Sequence, residues 1–263
     1  MPDQIDPTTD VILVDEPGPG LRRITLNRPG KRNALSPDLR EGLLSALIEA
    51  SASPEVRCII MAGAGGNFCA GGDLASLRDA DPEMIRKRIH AGHLVVQQIA
   101  ACGKPVIAQV EGYAMGAGAG LALAADIVVV GPSSNIGFPF IRVGLGPDFG
   151  ISFFLPRRVG NARACRYLIR GETIGGAQAV TAGLADELAA EGQVETRTIE
   201  VASEFCLLPR EAIRTMKTQL SGLDTDVFRE ALSREIAGQA YFSAQDEFRE
   251  GTQAFLEKRR PRF

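Results

Sequence analysis

The sequence predicts an α/β fold that closes with a purely helical region. Three observations carry that expectation. Short apolar, β-branched runs alternate with stretches of helical period, the joints between them are rich in glycine, and after Gln193 only helical patterns remain. Val11–Val14 and Leu21–Leu26 read as two strands around the turn EPGPG. The polar loop NRPGKRNAL follows, and Ser36-Pro37 opens a helix whose Leu39, Leu43, Leu44, Leu47 and Ile48 recur at helical spacing. Val56–Met61 reads as a buried strand leading into the loop AGAGGNFCAGGDL. Residues 83–101 then form a helix with a basic outer face, and Pro105–Val110, Ile127–Val130 and residues 133–138 supply further strands. The near-continuous apolar strands point to a sheet buried on both faces. Helices are predicted at 194–206, from Pro209 to Leu220, at 225–240 and at 243–258, which divides the chain into a core of residues 1–193 and a helical region of residues 194–263.

Composition narrows the functions available. The chain has 263 residues, 45% hydrophobic and 23% charged, enough to bury one large core. A net charge of −3 supplies no basic field for nucleic acid or an anionic membrane, so small molecules or copies of the chain are the expected partners. The longest apolar run, Leu121 to Val130, is interrupted by Asp126 and is too short to span a bilayer. Cys58, Cys69, Cys102, Cys165 and Cys206 are odd in number and scattered, the pattern of reduced thiols in the cytoplasm, and the polar, acidic start MPDQIDPTTD is unlike a secretory signal.

Chemistry concentrates in three glycine-rich segments, Cys69 to Leu74, Gly116 to Gly120, and Gly144 to Gly150. The first two are small-residue turns after strand-like runs. Such turns aim backbone N–H groups at whatever lies before the next helix, an arrangement that stabilises negative charge. Gly116-Ala117-Gly118-Ala119-Gly120 departs from a dinucleotide-binding turn because Leu121 stands where the third glycine belongs. His90 and His93 lie one helical turn apart in RKRIHAGH without a carboxylate or cysteine to complete a metal site, so a solvated helix face is the expectation there. Spacing alone leaves Asp148 open between helix cap and catalyst, reads Asp73 and Asp126 as structural, and reads the basic tail EKRRPRF as a solvated terminus.

LNRPGKRNAL, FCAGGDL, KPVIAQVEGYAMGAGAGLALAADI, VGLGPDFGISFFLPRRVGNARA and FREGTQAFLEKRRPRF, in that order, resemble the crotonase family, also called enoyl-CoA hydratase/isomerase. The resemblance runs from about residue 10 to the end. It implies a spiral of ββα units, a C-terminal helical region that assembles trimers or hexamers, and an acyl-CoA thioester as substrate. By the same resemblance the thioester oxygen sits between the N–H groups of Gly72 and Ala117 as an enolate forms. Lys31 and Arg32 resemble residues near the CoA phosphates and Ala34 the residue near the adenine. Ala70, Asp73, Leu74 and Phe140 fall in the substrate site, while Phe255 and Lys258 resemble residues closing over CoA, often from a neighbouring subunit. No metal is implied, and no cofactor beyond the CoA of the substrate.

Two departures matter. Hydratases of the family carry a glutamate in the helix after the glycine turn, here Gly120, and another after a proline, here Phe140. Hydration needs a group to activate water and usually another for the α-proton, so the remaining carboxylate is Asp148. GLGPDFG and the MGAGAGLAL turn resemble the subgroup that includes the ring-1,2-epoxyphenylacetyl-CoA isomerase of phenylacetate degradation, in which the matching aspartate is catalytic. Phe138, Phe140 and Phe149 should desolvate Asp148 and raise its pKa. Phe149 and Ile151-Ser152 replace smaller residues and alter the acyl pocket. The readings, in order, are an acyl-CoA isomerase using Asp148, an enoyl-CoA hydratase, and a non-catalytic acyl-CoA-binding member of an assembly.

Overall fold

The computed structural model describes residues 10–73, 81–223 and 225–263. Its main sheet has six strands in the order β1 (Ile12–Asp15), β2 (Leu21–Leu26), β3 (Cys58–Gly63), β4 (Val106–Val110), β6 (Ile127–Val130) and β9 (Glu187–Leu188). β1 runs antiparallel to β2 around the EPGPG turn, and every other neighbour in this sheet is parallel. A smaller sheet joins β5 (Tyr113–Met115), β7 (Asn135–Gly137) and β8 (Thr173–Gly175). The predicted strand at 133–138 is therefore present in shortened form.

Alternation along the parallel strands sorts their side chains to two faces. Ile59, Met61, Ala108, Val128 and Val130 enter the large core with α1 (Pro37–Ala52), α2 (Pro82–Ala101) and α3 (Ala117–Ala124). Cys58, Ile60, Ile107 and Val129 face the other way, onto Val194, Val201 and Ala202 of α7 (Val194–Cys206). This two-sided burial is why these strands read as unbroken apolar runs rather than as an alternation. Ser36 caps α1 as its position before Pro37 signals, its Oγ accepting from Leu39 N–H at 3.3 Å, and Asp81 caps α2, its Oδ1 accepting from Met84 N–H at 2.8 Å.

α4 (Ile151–Val159), α5 (Asn161–Arg170) and α6 (Gly176–Thr181) continue the core. The chain ends in α7, α8 (Arg210–Ser221), α9 (Asp226–Phe242) and α10 (Asp246–Leu256), with no strand among the described residues after Leu188. α9 lies along α2 and α4. α10 closes on the 3-10 turn Pro139–Val143, where a methyl group at Gly251 would stand 2.6 Å from Val143 Cα. That close approach gives the glycine of FREG its reason.

Candidate active site

Two backbone turns meet first. Ala70 N–H donates to Arg32 O at 2.9 Å, Leu35 N–H to Gly71 O at 2.8 Å, and Met115 N–H to Cys69 O at 2.9 Å, so residues 32–35, 69–72 and β5 are laced side by side. Buried Asn33 holds the first of these segments, its amide donating to Ala64 O at 3.0 Å and Asn67 O at 2.6 Å. Gly71 has φ of 94°, and a methyl group on it would lie 2.5 Å from Met115 O and 3.6 Å from the Ala117 amide nitrogen. Ala117 is the first residue of α3, entered through Gly116 at φ 53°, and an amide in the first helical turn has no intrahelical acceptor. The Gly71-Gly72 turn thus abuts the start of α3, a place suited to negative charge. A methyl at Gly118 would stand 2.3 Å from Cys69 O, which is why the turn tolerates so little side chain. Cys69 lies beside this turn but is no nucleophile: its thiol donates to Asn33 O at 3.1 Å, and burial pushes its pKa up to about 12.

A cavity of about 1060 Å³ opens over these turns. Of the residues singled out from sequence, Lys31, Arg32, Ala34, Ala70, Gly72, Asp73, Ala117, Phe140, Asp148 and Phe255 all line it. Leu74 lies outside the described residues. Lys258 does not line the cavity; Arg259 and Arg260 do. The tail is not simply a solvated terminus, because Glu250 takes Arg259 at 2.6 Å and the N–H of Arg262 at 2.7 Å, folding it back so that Pro261 and Phe263 also reach the cavity. Lys31 and Arg32 stand exposed, with the Arg32 guanidinium 5.7 Å from the centre of the Tyr113 ring.

Asp148 is not the cap of α4. The helix begins after Gly150, without a side-chain cap from its own segment, and only the backbone carbonyl of Asp148 reaches Ile151 N–H, at 3.1 Å. The carboxylate instead faces the cavity. Oδ2 accepts from Gln239 Nε2 at 3.3 Å, and Oδ1 is buried with no hydrogen-bond partner among the described residues. Burial raises its pKa to about 8, the nearby Glu235 charge pushes in the same direction, and Arg88 and Arg40 pull it back. Arg40 is itself 6% exposed, and burial with Arg88 alongside lowers it to about 10.

His93 corrects the sequence expectation. It is 2% exposed, and its Nε2 lies 2.9 Å from Glu235 Oε2. Arg88, too, turns from the supposedly outer face of α2 into the cavity, whereas His90 is exposed as expected.

The two positions that part from hydratases differ in kind. Phe140 fills one wall of the cavity. Gly120 is sterically closed: a methyl group there would lie 2.6 Å from Phe149 Cβ and 2.7 Å from Phe149 O. The Phe149 ring is in turn seated over Gly92, where a methyl would stand 2.4 Å from its edge, and Phe149 holds φ at 53°.

Comparison with known proteins places this geometry. The profile of the enoyl-CoA hydratase/isomerase family matches residues 17–263. The chain belongs to that family. A probable enoyl-CoA hydratase of Rhodobacter capsulatus is 37% identical over 246 residues, covering 93% of this chain and 94% of that protein. The 1,2-epoxyphenylacetyl-CoA isomerase of Escherichia coli is 32% identical over 93% of this chain and 95% of its own length. The crystal structure of an enoyl-CoA hydratase from Mycobacterium avium subsp. paratuberculosis superposes with a TM-score of 0.87 at 29% identity, covering 96% of this chain and 98% of that one. The fold is the crotonase spiral with its helical C-terminal region, and the chain is an acyl-CoA enzyme of the enoyl-CoA hydratase/isomerase family. Among the described residues no helix is long and apolar enough to cross a membrane.

Arg40, Arg88, Glu235 and Gln239, the groups gathered around Asp148, are among the cavity and near-cavity residues that sequence reasoning missed. A signal existed for the last two. Phe228, Leu232, Glu235 and Gln239 follow helical spacing on the buried stripe of α9, and a carboxylate on such a stripe requires partners.

Proposed function

We propose that the chain is an acyl-CoA isomerase in which Asp148 moves a proton while the N–H groups of Gly72 and Ala117 hold the thioester oxygen. The observation that carries this is the pairing of one cavity carboxylate, desolvated and unpartnered at Oδ1, with a position 120 closed to a second. Isomerisation of a 3-enoyl-CoA needs no co-reactant. The Asp148 carboxylate takes a proton from C2, and the electron pair enters the dienolate, whose charge rests on the thioester oxygen. The carboxylic acid then returns the proton to C4, leaving the double bond between C2 and C3. Each amide donor of such a hole contributes about 3 kcal/mol in acyl-transfer sites. A base raised by burial is matched to the weakly acidic α-carbon. Lys31 and Arg32 would meet the CoA phosphates and Phe255 the CoA body. The assembly proposed is a trimer or a hexamer of two trimers.

The test is the absorbance of the conjugated 2-enoyl thioester in a 3-enoyl-CoA solution mixed with purified protein. A protein-dependent rise that disappears in Asp148→Asn is the expected outcome; a rise that survives that substitution removes Asp148 from the mechanism. The name of the Rhodobacter capsulatus relative favours a second reading, hydration of a 2-enoyl-CoA by the same aspartate. Loss of the conjugated band from a 2-enoyl-CoA would favour it.

A further inference from the structure

The carboxylate of Glu235 has a role that neither fold nor family membership assigns. It is 4% exposed, and burying an ion without partners is costly. All its hydrogen-bond partners among the described residues but one come from the segment that follows Asp148. Gly150 N–H donates to Oε2 at 2.9 Å, Ser152 N–H to Oε1 at 2.9 Å, and Ser152 Oγ to Oε1 at 2.6 Å. His93 Nε2, on α2, supplies the remaining contact at 2.9 Å. Glu235 therefore caps α4 from another helix, at the positive end of that helix and in place of the missing local cap. One turn further along α9, Gln239 Nε2 donates to Gly146 O at 2.8 Å and reaches Asp148 Oδ2 at 3.3 Å. One face of α9 thus grips the chain on both sides of Asp148.

We propose that Glu235 is a positioning residue for the reaction, fixing the Asp148 carboxylate over the substrate α-carbon through its bonds to Gly150 and Ser152, with His93 holding Glu235 in turn. This rests on the Asp148 reading above. The charged groups that bear on Asp148 come from three elements: Glu235 from α9, Arg88 from α2 and Arg40 from α1. Among these charges Glu235 is the one that opposes ionisation of Asp148, so, added to the larger effect of burial, it moves the pH at which the base becomes available upward.

The experiment uses the full chain and mass-spectrometric exchange of the α-protons of a saturated acyl-CoA (hexanoyl-CoA) in heavy water. Glu235→Gln should lower kcat about tenfold or more while KM changes less than about threefold, because the substrate's own contacts remain. The acidic limb of the pH–rate profile should also move to lower pH, because a negative neighbour of Asp148 has been removed. A fall in kcat with the limb unmoved, or an unchanged kcat, overturns the proposal, since a merely structural residue moves stability and not the limb. If Glu235→Gln does not fold, Ser152→Ala carries the test, as it deletes one hydroxyl donor and leaves the charge: a several-fold loss of kcat at constant KM supports the proposal, and no change refutes it. Asp148→Asn in the same assay separates the two readings. Exchange abolished there but intact in Glu235→Gln defeats only the positioning role, whereas exchange intact in Asp148→Asn defeats the base assignment itself.

Discussion

The cavity has two ends, and they are built in opposite ways. At one end the Gly71-Gly72 turn and the start of α3 present backbone only, and two of the glycines there are forced by a backbone oxygen a few ångströms away: Met115 O over Gly71 and Cys69 O over Gly118. At the other end the Asp148 carboxylate depends on side chains from far along the chain, with 85 residues separating Gly150 from the Glu235 that anchors its segment. The first end is stiff because removing a side chain is what lets the segments touch. The second is adjustable, because its charge state answers to Arg40, Arg88 and Glu235 together.

Breaking the adjustable end should have the largest effect. Asp148→Asn is expected to cut α-proton exchange about 10³-fold, the scale of losing a positioned general base, with retention of CoA-ester binding measured by calorimetry. In the unsubstituted protein exchange should rise with pH through about 8 as the carboxylate ionises, and a profile flat across that range would mean another base. The stiff end should break through stability instead. Gly118→Ala places a methyl 2.3 Å from Cys69 O and is expected to cost about 3 kcal/mol in urea unfolding. Gly175→Ala, with nothing within 4 Å, is the control and should stay within about 0.5 kcal/mol. Where the two ends touch, Gly120→Ala should cost about 2 kcal/mol alone and measurably less in a Phe149→Gly background, a coupling read from the double-mutant cycle.

The smallest predicted effect tests Asp148 from the folding side. Its carboxyl is raised from its ordinary range to about 8 in the folded state, so the native protein holds this proton more tightly than the unfolded chain. The stabilisation is complete below the ordinary carboxylate pKa and is lost as pH rises through about 8. Asp148→Asn should therefore raise the thermal midpoint at pH 9 by about 3 °C, allowing for solvent at the cavity mouth, and by less at pH 5.

The same contrast explains what could be read in the sequence. Strand Ile127–Val130 and helix Val194–Cys206 lie where the apolar periods put them, because burial on two faces or one stripe leaves a local trace. The glycine turns were legible for the same reason. The partners of Asp148 were not: whether that residue caps α4 was decided by Glu235, and whether His93 faces solvent was decided by the same carboxylate. The stripe of α2 through Ile85, Ile89 and Val96 carries the apolar period of that helix, but a histidine beside it reads as surface until α9 is known to lie against it. The resemblance gives Lys258 a place over CoA, often in a neighbouring subunit; within one chain the fold-back of the tail onto Glu250 brings Arg259 and Arg260 to the cavity, a tertiary contact the sequence does not show.

Phe149 fixes a direction of change as well as a shape. Its ring rests on Gly92, and its Cβ and backbone carbonyl rest on Gly120, so a carboxylate can enter position 120 only after the backbone at 149 has shifted, and a smaller residue at 149 leaves a void until something fills it. Neither single step between the one-acid and two-acid forms is neutral. The pair behaves as a ratchet: a side chain at position 120 demands a rebuilt turn at 149, not one substitution.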